Sequence, residues 1–445
     1  MLDLFCEKMP ISSMLRGLLE RCLSADRLNQ IFDENASNQY TRNLLFSTVC
    51  HLLLHVVLRV HPSTHAAYQK FKTSIPVSIT ALYDKLNGME TAVSSALVRD
   101  MASDLSHVLD ALEITPESWL PGYPIRILDG NSLAASEKRL QVHHAVGAAP
   151  LPGKSLVVLD PERRLVVEVF PCEDGHAQER SLLKAVIATF RAGQLWIADR
   201  NFCTLGFLEG IHQHQAYTIL RRHANLPFVE LAPFSQAALT EEGQRILEQP
   251  IEIEGRRHRR IRVELAKPTR DGDLYIDLIT NLPATVGAST VADLYRKRWT
   301  LETAFQHIEK HFQSEINTLA YPGAALFGLC LALVAYNIFS VMLAALDSAH
   351  EKPVSKTVSS YYIAHDIASS FQALILLGDA LDWSFLVTYS PAKFAHWLRQ
   401  VALHIELPTL KKHSRGPKKP KQKPPYDPKH PHESTYQLLL GKKRA

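Results

Sequence analysis

The stretch that decides the fold reads LYRKRWTLE, residues 294–302. It lies in a predicted helix over about 290–312, where Tyr295, Arg298 and Glu302 are spaced i, i+3 and i+7 and share one face. The apolar stripe of this helix lies one residue, or about 100°, round from that face. One side is therefore predicted to pack while the next presents an acid, a guanidinium and a phenol. Taken alone, the pattern also fits a solvated surface with an Arg298–Glu302 ion pair worth only about 0.3–0.5 kcal/mol.

Two more carboxylates follow predicted strands. Asp129 ends one strand and precedes a Gly-Asn-Ser turn, and Asp199 ends another and precedes Arg-Asn-Phe. Ligands of an open sheet bind at the carboxyl ends of its strands, and two acids there suit an octahedral Mg²⁺ ion. Either Asp alone would more often form a turn or cap a helix.

The order of predicted elements changes at Pro124. The residues before it show helical periodicity, whereas those after it predict the order β-β-β-α-β-α-β. The predicted elements are strands at 125–129, 155–160 and 165–170, a helix at 179–192, a strand at 195–198, a helix at 205–214 and a strand at 217–220. Residues 223–289 are strand-rich and basic, and they are interpreted as an insertion before the helix that carries Glu302.

Three acids on this frame resemble the ribonuclease H-like catalytic core of DDE transposases. Residues 197–202, IADRNF, are similar to the second-Asp motif of the family, and residues 294–302 are similar to its Tyr-x-x-Arg-x-x-x-Glu signature. The resemblance covers about residues 120–346 and places the chain among insertion-sequence transposases with a β insertion. One departure is that Glu309 stands where the signature has a Lys, with Lys310 one position later.

The predicted fold class is α/β: a ribonuclease H-like core with an inserted β-rich subdomain, preceded by an all-helical domain and followed by a helical region and a basic tail. The predicted boundaries are 1–118 for the helical domain, a candidate for DNA-end binding; 119–222 for the first part of the core; 223–289 for the insertion; 290–348 for the catalytic and core helices; 349–410 for a helical region, a candidate for dimerisation; and 411–445 for the tail.

The resemblance implies a DNA transposase that cuts at transposon ends and then joins each freed 3′-hydroxyl to target DNA. Asp129, Asp199 and Glu302 would hold two Mg²⁺ ions, or Mn²⁺ in their place, for in-line phosphoryl transfer. Arg298 would hold a phosphate, and Tyr295 would contact a phosphate or stack near the cleaved end. Synapsis of two ends implies a homodimer.

Seven further residues are candidate DNA contacts. Trp299 could stack on a base, although core packing is the commoner role of such a residue. The arginines could contact phosphates or simply guard an exposed strand edge. Together with Tyr295 and Arg298, these candidates are Trp299, Lys310, Arg200, Arg221, Arg222, Arg256 and Arg257, the last two in a basic run over 256–260.

Composition and charge limit the class of protein. With 46% apolar and 21% charged residues the chain is an ordinary globular one. Its six cysteines form no C-x-x-C pair, and residues 1–30 lack a continuous apolar segment, so we expect a cytoplasmic protein. The resemblance to insertion-sequence transposases implies that it is bacterial and nucleoid-associated. Residues 411–445 carry a net charge of +9 and the remainder −5, so this Pro-rich tail is predicted to be extended and unpacked, either binding phosphates or only aiding solubility.

Two features suggest other classes and are set aside. Residues 324–346 carry no charge and could cross a membrane, but Asn337 and Ser340 near their middle favour a core helix, and no membrane is expected. Residues 148–155 fit a relaxed phosphate-loop pattern, but a strand follows where a helix should, so no nucleotide cofactor is expected. The remaining alternatives are a two-metal DNA nuclease without strand transfer and a domesticated, non-catalytic DNA-binding protein.

Overall fold

Among the residues that the structure describes, the first quarter of the chain contains seven helices. The computed structural model describes residues 2–39, 43–113, 118–269, 272–351, 353–376, 382–412 and 432–441. Ser63 and Ser78 cap two of the helices by accepting hydrogen bonds from backbone N–H groups three residues on. The helices are α1 (Leu2–Lys8), α2 (Pro10–Cys22), α3 (Ala25–Asn35), α4 (Phe46–Val57), α5 (Thr64–Phe71), α6 (Ile79–Asn87) and α7 (Thr91–Ala111).

A ten-stranded mixed sheet forms the centre of the molecule. Its strands are β1 (Ile125–Ser132), β2 (Lys154–Asp160), β3 (Leu165–Cys172), β4 (Leu195–Ala198), β5 (Tyr217–Arg221), β6 (Val229–Glu230), β7 (Ser235–Leu239), β8 (Arg245–Ile253), β9 (Arg256–Glu264) and β10 (Tyr275–Thr280). The order is β3-β2-β1-β4-β5-β10-β9-β8-β6, and β7 also pairs with β8. The first three strands are antiparallel neighbours, whereas β1, β4 and β5 are parallel. The fold is therefore a mixed α/β fold.

The strands of the predicted insertion continue this sheet. β10 pairs antiparallel with β5, with Leu278 opposite Arg221 and Thr280 opposite Ile219. Leu278 and Ile279 are both buried, so helices cover both faces at this junction. The domain boundaries themselves stay predictions.

Side chains alternate between the two faces of the sheet along each strand, so both faces carry apolar side chains. Helices cover both faces. α8 (Leu183–Ile187) and α9 (Leu205–Gln213) cover one face, over Leu128, Ala198 and Leu220. Residues 179–182 form a 3₁₀ turn rather than the first turn of the predicted helix at 179–192, and α8 ends early because Thr189 and Phe190 make i→i+3 bonds. The larger core, over Ile127, Ile197 and Ile219, contains the N-terminal and C-terminal helices.

The predicted helix at 290–312 is broken. It consists of α10 (Ala288–Arg296), a 3₁₀ turn at Lys297–Trp299 and α11 (Thr300–His311). The Thr300 hydroxyl donates a hydrogen bond to the Lys297 carbonyl at 2.7 Å, a side-chain bond that competes with the helical ladder at the break. The turn directs Arg298, which is 6% exposed, into the protein.

α12 (Pro322–Ala349) is the long apolar helix, and it is the one described helix long and apolar enough to cross a membrane. Of its most apolar 18 residues, 89% are buried, and the helix packs against α4, α7, β3 and α14 (Pro391–Ala402). The prediction of a core helix agrees with this packing. Its fully buried Asn337 accepts a hydrogen bond from the Val166 N–H at 2.7 Å and donates one to the Val166 carbonyl at 2.8 Å.

We expect Asn337→Leu to destabilise the fold by roughly 2–6 kcal/mol, because it leaves two backbone groups of the edge strand β3 buried and unpaired. Ser340→Ala on the same helix is the control, since the Ser340 hydroxyl bonds to the carbonyl of Tyr336 one turn before it and not to a neighbouring strand. Its cost should be about 1 kcal/mol or less. Urea unfolding of both variants measures the difference, and equal losses would show that the bridge to β3 is unimportant.

The C-terminal region adds helices to the larger core. These are α13 (Ser360–Leu376) and α14, whereas a short α15 (Thr435–Leu439) packs on the 3₁₀ turn at Gln141–His143. Most of the predicted tail, residues 413–431 and 442–445, lies outside the described residues. The expectation of an unpacked tail is wrong for residues 432–441, because Ser434 caps α15 and donates a hydrogen bond to Asp174 at 2.6 Å, and Thr435 is buried.

Candidate active site

Asp129 and Asp199 lie on neighbouring parallel strands. The register pairs Leu128 of β1 with Ala198 of β4, so the two carboxylates come next to each other one residue further on. Asp199 directly follows β4, as predicted. Asp129 does not end its strand, because β1 continues to Ser132 through its pairing with β2. Both side chains face the sheet surface on which α10 and α11 lie.

Glu302 reaches the same place from the first turn of α11. Arg298 connects it to the strands: its guanidinium donates one hydrogen bond to Asp129 and another to Glu302 at 3.4 Å. The Tyr295 hydroxyl donates to Asp199 at 3.1 Å. The structure thus brings Asp129, Asp199, Glu302, Tyr295 and Arg298 together as one group, in which Arg298 bonds to two of the acids and Tyr295 to the third.

Burial and charge perturb this group strongly. Burial raises the pKa of the Asp129 carboxyl to about 6; Arg298 and the Gly130 N–H oppose the rise, and repulsion by Asp199 and Glu302 adds to it. Burial disfavours the charge on Arg298, but the surrounding acids, Asp129 first, outweigh it and raise the pKa of the guanidinium. Burial, followed by the charge of Asp199, raises the pKa of Tyr295, so the phenol stays protonated and acts as a donor.

The carboxylates are chemically suited to a divalent ion but are not arranged around one. Oxygen ligands of this kind are what Mg²⁺ prefers. Here, however, Arg298 lies between Asp129 and Glu302 and uses their oxygens. Across the described ranges, no group of three or more His, Cys, Asp or Glu residues could hold a metal ion. In the present arrangement the three acids therefore do not fit the expected metal.

Trp299, Arg200 and Lys310 lie around this group rather than in it. The Trp299 side chain is 61% exposed, so it is not a core residue, and the guanidinium carbon of Arg298 lies 5.9 Å from its ring centroid. Arg200 is exposed beside Asp199. Lys310 is exposed two turns beyond Glu302. Burial lowers the pKa values of His307 and His311, and the nearby charge of Lys310 lowers them further.

The predicted arginine contacts differ in their freedom to reach DNA. Arg221 forms an ion pair with Asp273 at 2.9 Å and lies near Tyr295. Arg222 lies 3.6 Å from Asp277. Arg256 pairs with Glu209 at 2.7 Å while staying 41% exposed, and Arg257 is exposed.

The rest of the 256–260 run has internal roles. Arg259 bonds to Glu248 and to the carbonyls of Leu282, Pro283 and Val286. Arg260 is buried against Asp277. The interpretation of the run as phosphate contacts is therefore restricted to Arg256 and Arg257.

Sequence reasoning missed Glu179, which contacts the backbone of β1 next to Asp129 and the turn that follows Asp199. A Cβ atom added to Gly130 would lie 2.2 Å from Glu179 Oε1, so this carboxylate packs directly on β1 beside Asp129. Its other oxygen accepts a hydrogen bond from Asn201 at 3.4 Å, and Arg180 donates to the Asn201 carbonyl at 2.9 Å. The Gly that follows Asp129 was the available signal, since it marks a close approach.

Comparison with known proteins identifies the domain that holds this site. Residues 121–338, just under half of the chain, match the family model of the transposase DDE domain. This match agrees with the resemblance of residues 294–302 to the signature of that family. All five residues of the hydrogen-bonded group lie within the match.

Other comparisons add less. One solved structure, a cryo-EM structure of piggyBac transposase synaptic complex with hairpin DNA, is 12% identical, with a TM-score of 0.38 over 94% of this chain and 88% of that chain. That TM-score is low, so the family rests on the domain match. Among curated proteins, none matches the chain significantly.

Proposed function

We propose that the chain is a DNA transposase that cleaves DNA at the ends of a transposable element and joins them to target DNA, with Asp129, Asp199 and Glu302 as its acidic residues. The observation that carries the proposal is the convergence of these three carboxylates, from two strands and a helix, on Arg298 within the matched domain. Convergence of acids from distant parts of a chain at one buried cation is more typical of a reaction site than of a surface ion pair.

The strand order supports a ribonuclease H-like core. Three antiparallel strands are followed by two strands parallel to the first, and the acids lie on β1 and directly after β4. Ligands of such open sheets bind at the carboxyl ends of the parallel strands. Asp199 directly follows β4, and Asp129 lies one residue beyond the last parallel pair of β1 with β4.

Each residue of the group has a part in phosphoryl transfer. The planar guanidinium of Arg298 matches two oxygens of a phosphate. The Tyr295 hydroxyl stays protonated and can donate a hydrogen bond to a further phosphate oxygen. The exposed ring of Trp299 can stack on a base at the cleaved end. The carboxylates are the ligand type for Mg²⁺ or Mn²⁺, so a divalent cofactor remains part of the proposal.

Recognition of DNA must come from outside this group, because phosphate contacts fix position but carry no sequence information. The N-terminal helices and the basic tail remain the candidates for binding transposon ends, and Arg221, Arg222, Arg256 and Arg257 for contacts to the backbone. A homodimer that brings two ends together, in the bacterial cytoplasm, completes the proposal.

The proposal is tested by incubating the full chain with Mg²⁺ and DNA that carries the sequences flanking its own gene. Cleavage together with joined products supports a transposase. Cleavage without joining would replace the proposal with a two-metal nuclease, since the same acids would serve both reactions. Binding without either product would replace it with a domesticated DNA-binding protein.

Neutralising Arg256 and Arg257 together, as Arg256→Gln/Arg257→Gln, should weaken DNA binding and flatten its salt dependence. Each lost phosphate contact lowers the slope of log K against log salt by about 0.9. Lys393 lies on α14, and its ammonium group lies over the ring of Tyr389. Lys393→Gln is therefore a control for loss of charge alone. Fluorescence anisotropy at several salt concentrations measures both slopes. An unchanged slope in the double variant would mean that these arginines only guard a strand edge.

A further inference from the structure

Arg298 lies where the three carboxylates would need to meet around a cation. Its guanidinium hydrogen-bonds to Asp129 and to Glu302, and the residue is only 6% exposed. Its Nε atom is buried without a hydrogen-bond partner. A buried guanidinium with an unpaired donor is a costly arrangement that other bonding partners could improve.

The guanidinium and a divalent ion compete for the same oxygens. A Mg²⁺ or Mn²⁺ ion needs carboxylate oxygens at close range with near-octahedral geometry. While Arg298 bonds to Asp129 and Glu302, it both occupies their oxygens and adds a positive charge between them. Two cations cannot share that space without strong repulsion.

The local backbone gives Arg298 a route out of this position. It sits in the 3₁₀ turn at Lys297–Trp299 between α10 and α11, and short 3₁₀ stretches within helices often mark hinges. The next residue, Trp299, is largely solvent-exposed. A change of this single turn would move Arg298 without unfolding either helix.

We propose that in the DNA-free chain Arg298 acts as an internal cation that closes the three carboxylates to divalent metal, and that metal binds there only after the Arg298 side chain leaves. A DNA phosphate offers the guanidinium two oxygens in exchange for those it gives up. Metal loading is thereby coupled to DNA binding. The inference deepens the proposed function and rests on it for the use of the carboxylates.

The test is Mn²⁺ binding to the full chain without DNA, followed by the electron paramagnetic resonance signal of free Mn²⁺. Arg298→Gln should bind Mn²⁺ at least about tenfold more tightly than the unchanged chain, because hydrogen bonds to charged groups are worth that much. Arg298→Lys keeps the charge but cannot bridge two carboxylates, so its affinity should fall between the other two. The double variant Arg298→Gln/Asp129→Asn should bind Mn²⁺ no more tightly than the unchanged chain. That result would place the ion at the carboxylates around Asp129.

Arg245→Gln is the matched control. Arg245 makes two hydrogen bonds to Glu264 on the inserted strands, so this variant frees a carboxylate away from the site and should not raise Mn²⁺ affinity. Tightest binding by the unchanged chain, or equal binding by it and Arg298→Lys, would overturn the inference. Tighter binding by Arg298→Gln with no DNA cleavage by the unchanged chain would refute the proposed function and keep the inference. DNA cleavage by the unchanged chain, together with equal Mn²⁺ affinities of the unchanged chain and Arg298→Gln, would refute the inference and keep the proposed function.

Discussion

We expect Asp199→Ala to reduce strand cleavage by at least about 1000-fold while leaving DNA binding intact. The large loss is expected because, when several acidic residues act as a unit, deletion of any one of them removes most of the activity. Binding survives because its electrostatic part comes from cations outside the group. Gel assays of cleavage and of binding on the same DNA measure the two effects separately.

Two further variants make this result specific. Asp199→Asn keeps an oxygen that can accept the hydrogen bond from Tyr295 and removes only the charge, so it should lose cleavage equally. Asp293→Ala removes an exposed Asp of α10 that pairs with Arg296, and it should cleave normally. Retained cleavage by Asp199→Ala would remove this residue from the proposed site.

Asp277→Ala should destabilise the fold by about 3–5 kcal/mol, the cost of removing one partner of a buried ion pair. Asp277 bonds to Arg260 and Arg262 and lies 3.6 Å from Arg222, and Arg260 is 6% exposed. The exposed pair of Arg221 with Asp273 provides the control, since Asp273→Ala should cost less than about 1 kcal/mol. Urea unfolding at neutral pH measures both, and equal costs would show that the arginine cluster is not stabilised through Asp277.

The effect of Asp277 should also depend on pH. Burial would raise the pKa of its carboxyl, but hydrogen bonds from Arg262 and Arg260 hold it below the ordinary value of 3.8. A depressed pKa stabilises the fold above the unfolded-state value and loses that contribution as pH falls through the folded-state value. The difference between the unchanged chain and Asp277→Ala should therefore be constant near neutrality and shrink below about pH 4.

Local patterns were sufficient to predict the elements that carry the acids. Short apolar runs bounded by turn residues gave the strands that carry or precede Asp129 and Asp199, because strand period and turn chemistry are properties of neighbouring residues. The i, i+3, i+7 spacing likewise gave a helix that carries Glu302. The transposase DDE match over 121–338 agrees with the family that the motifs at 197–202 and 294–302 resemble.

Long-range contacts account for what the sequence did not reveal. The break at 297–299 accompanies the burial of Arg298 against Asp129, a partner 169 residues away. The internal roles of Arg259 and Arg260 depend on the register of β8, β9 and β10, which no local pattern fixes. The packing of Ser434 on Asp174 joins residues 260 apart, and composition alone suggested a free tail there.

The central claim is that Asp129, Asp199 and Glu302 work as one site, and a single-turnover cleavage series tests it most directly. The series compares Asp129→Asn, Asp199→Asn, Glu302→Gln and the double variant Asp129→Asn/Glu302→Gln on one pre-bound DNA substrate. We predict that each single variant falls to background and that the double variant is no worse, because groups acting as a unit are strongly non-additive. Substantial cleavage by any single variant, or losses that add in the double variant, would contradict a shared site.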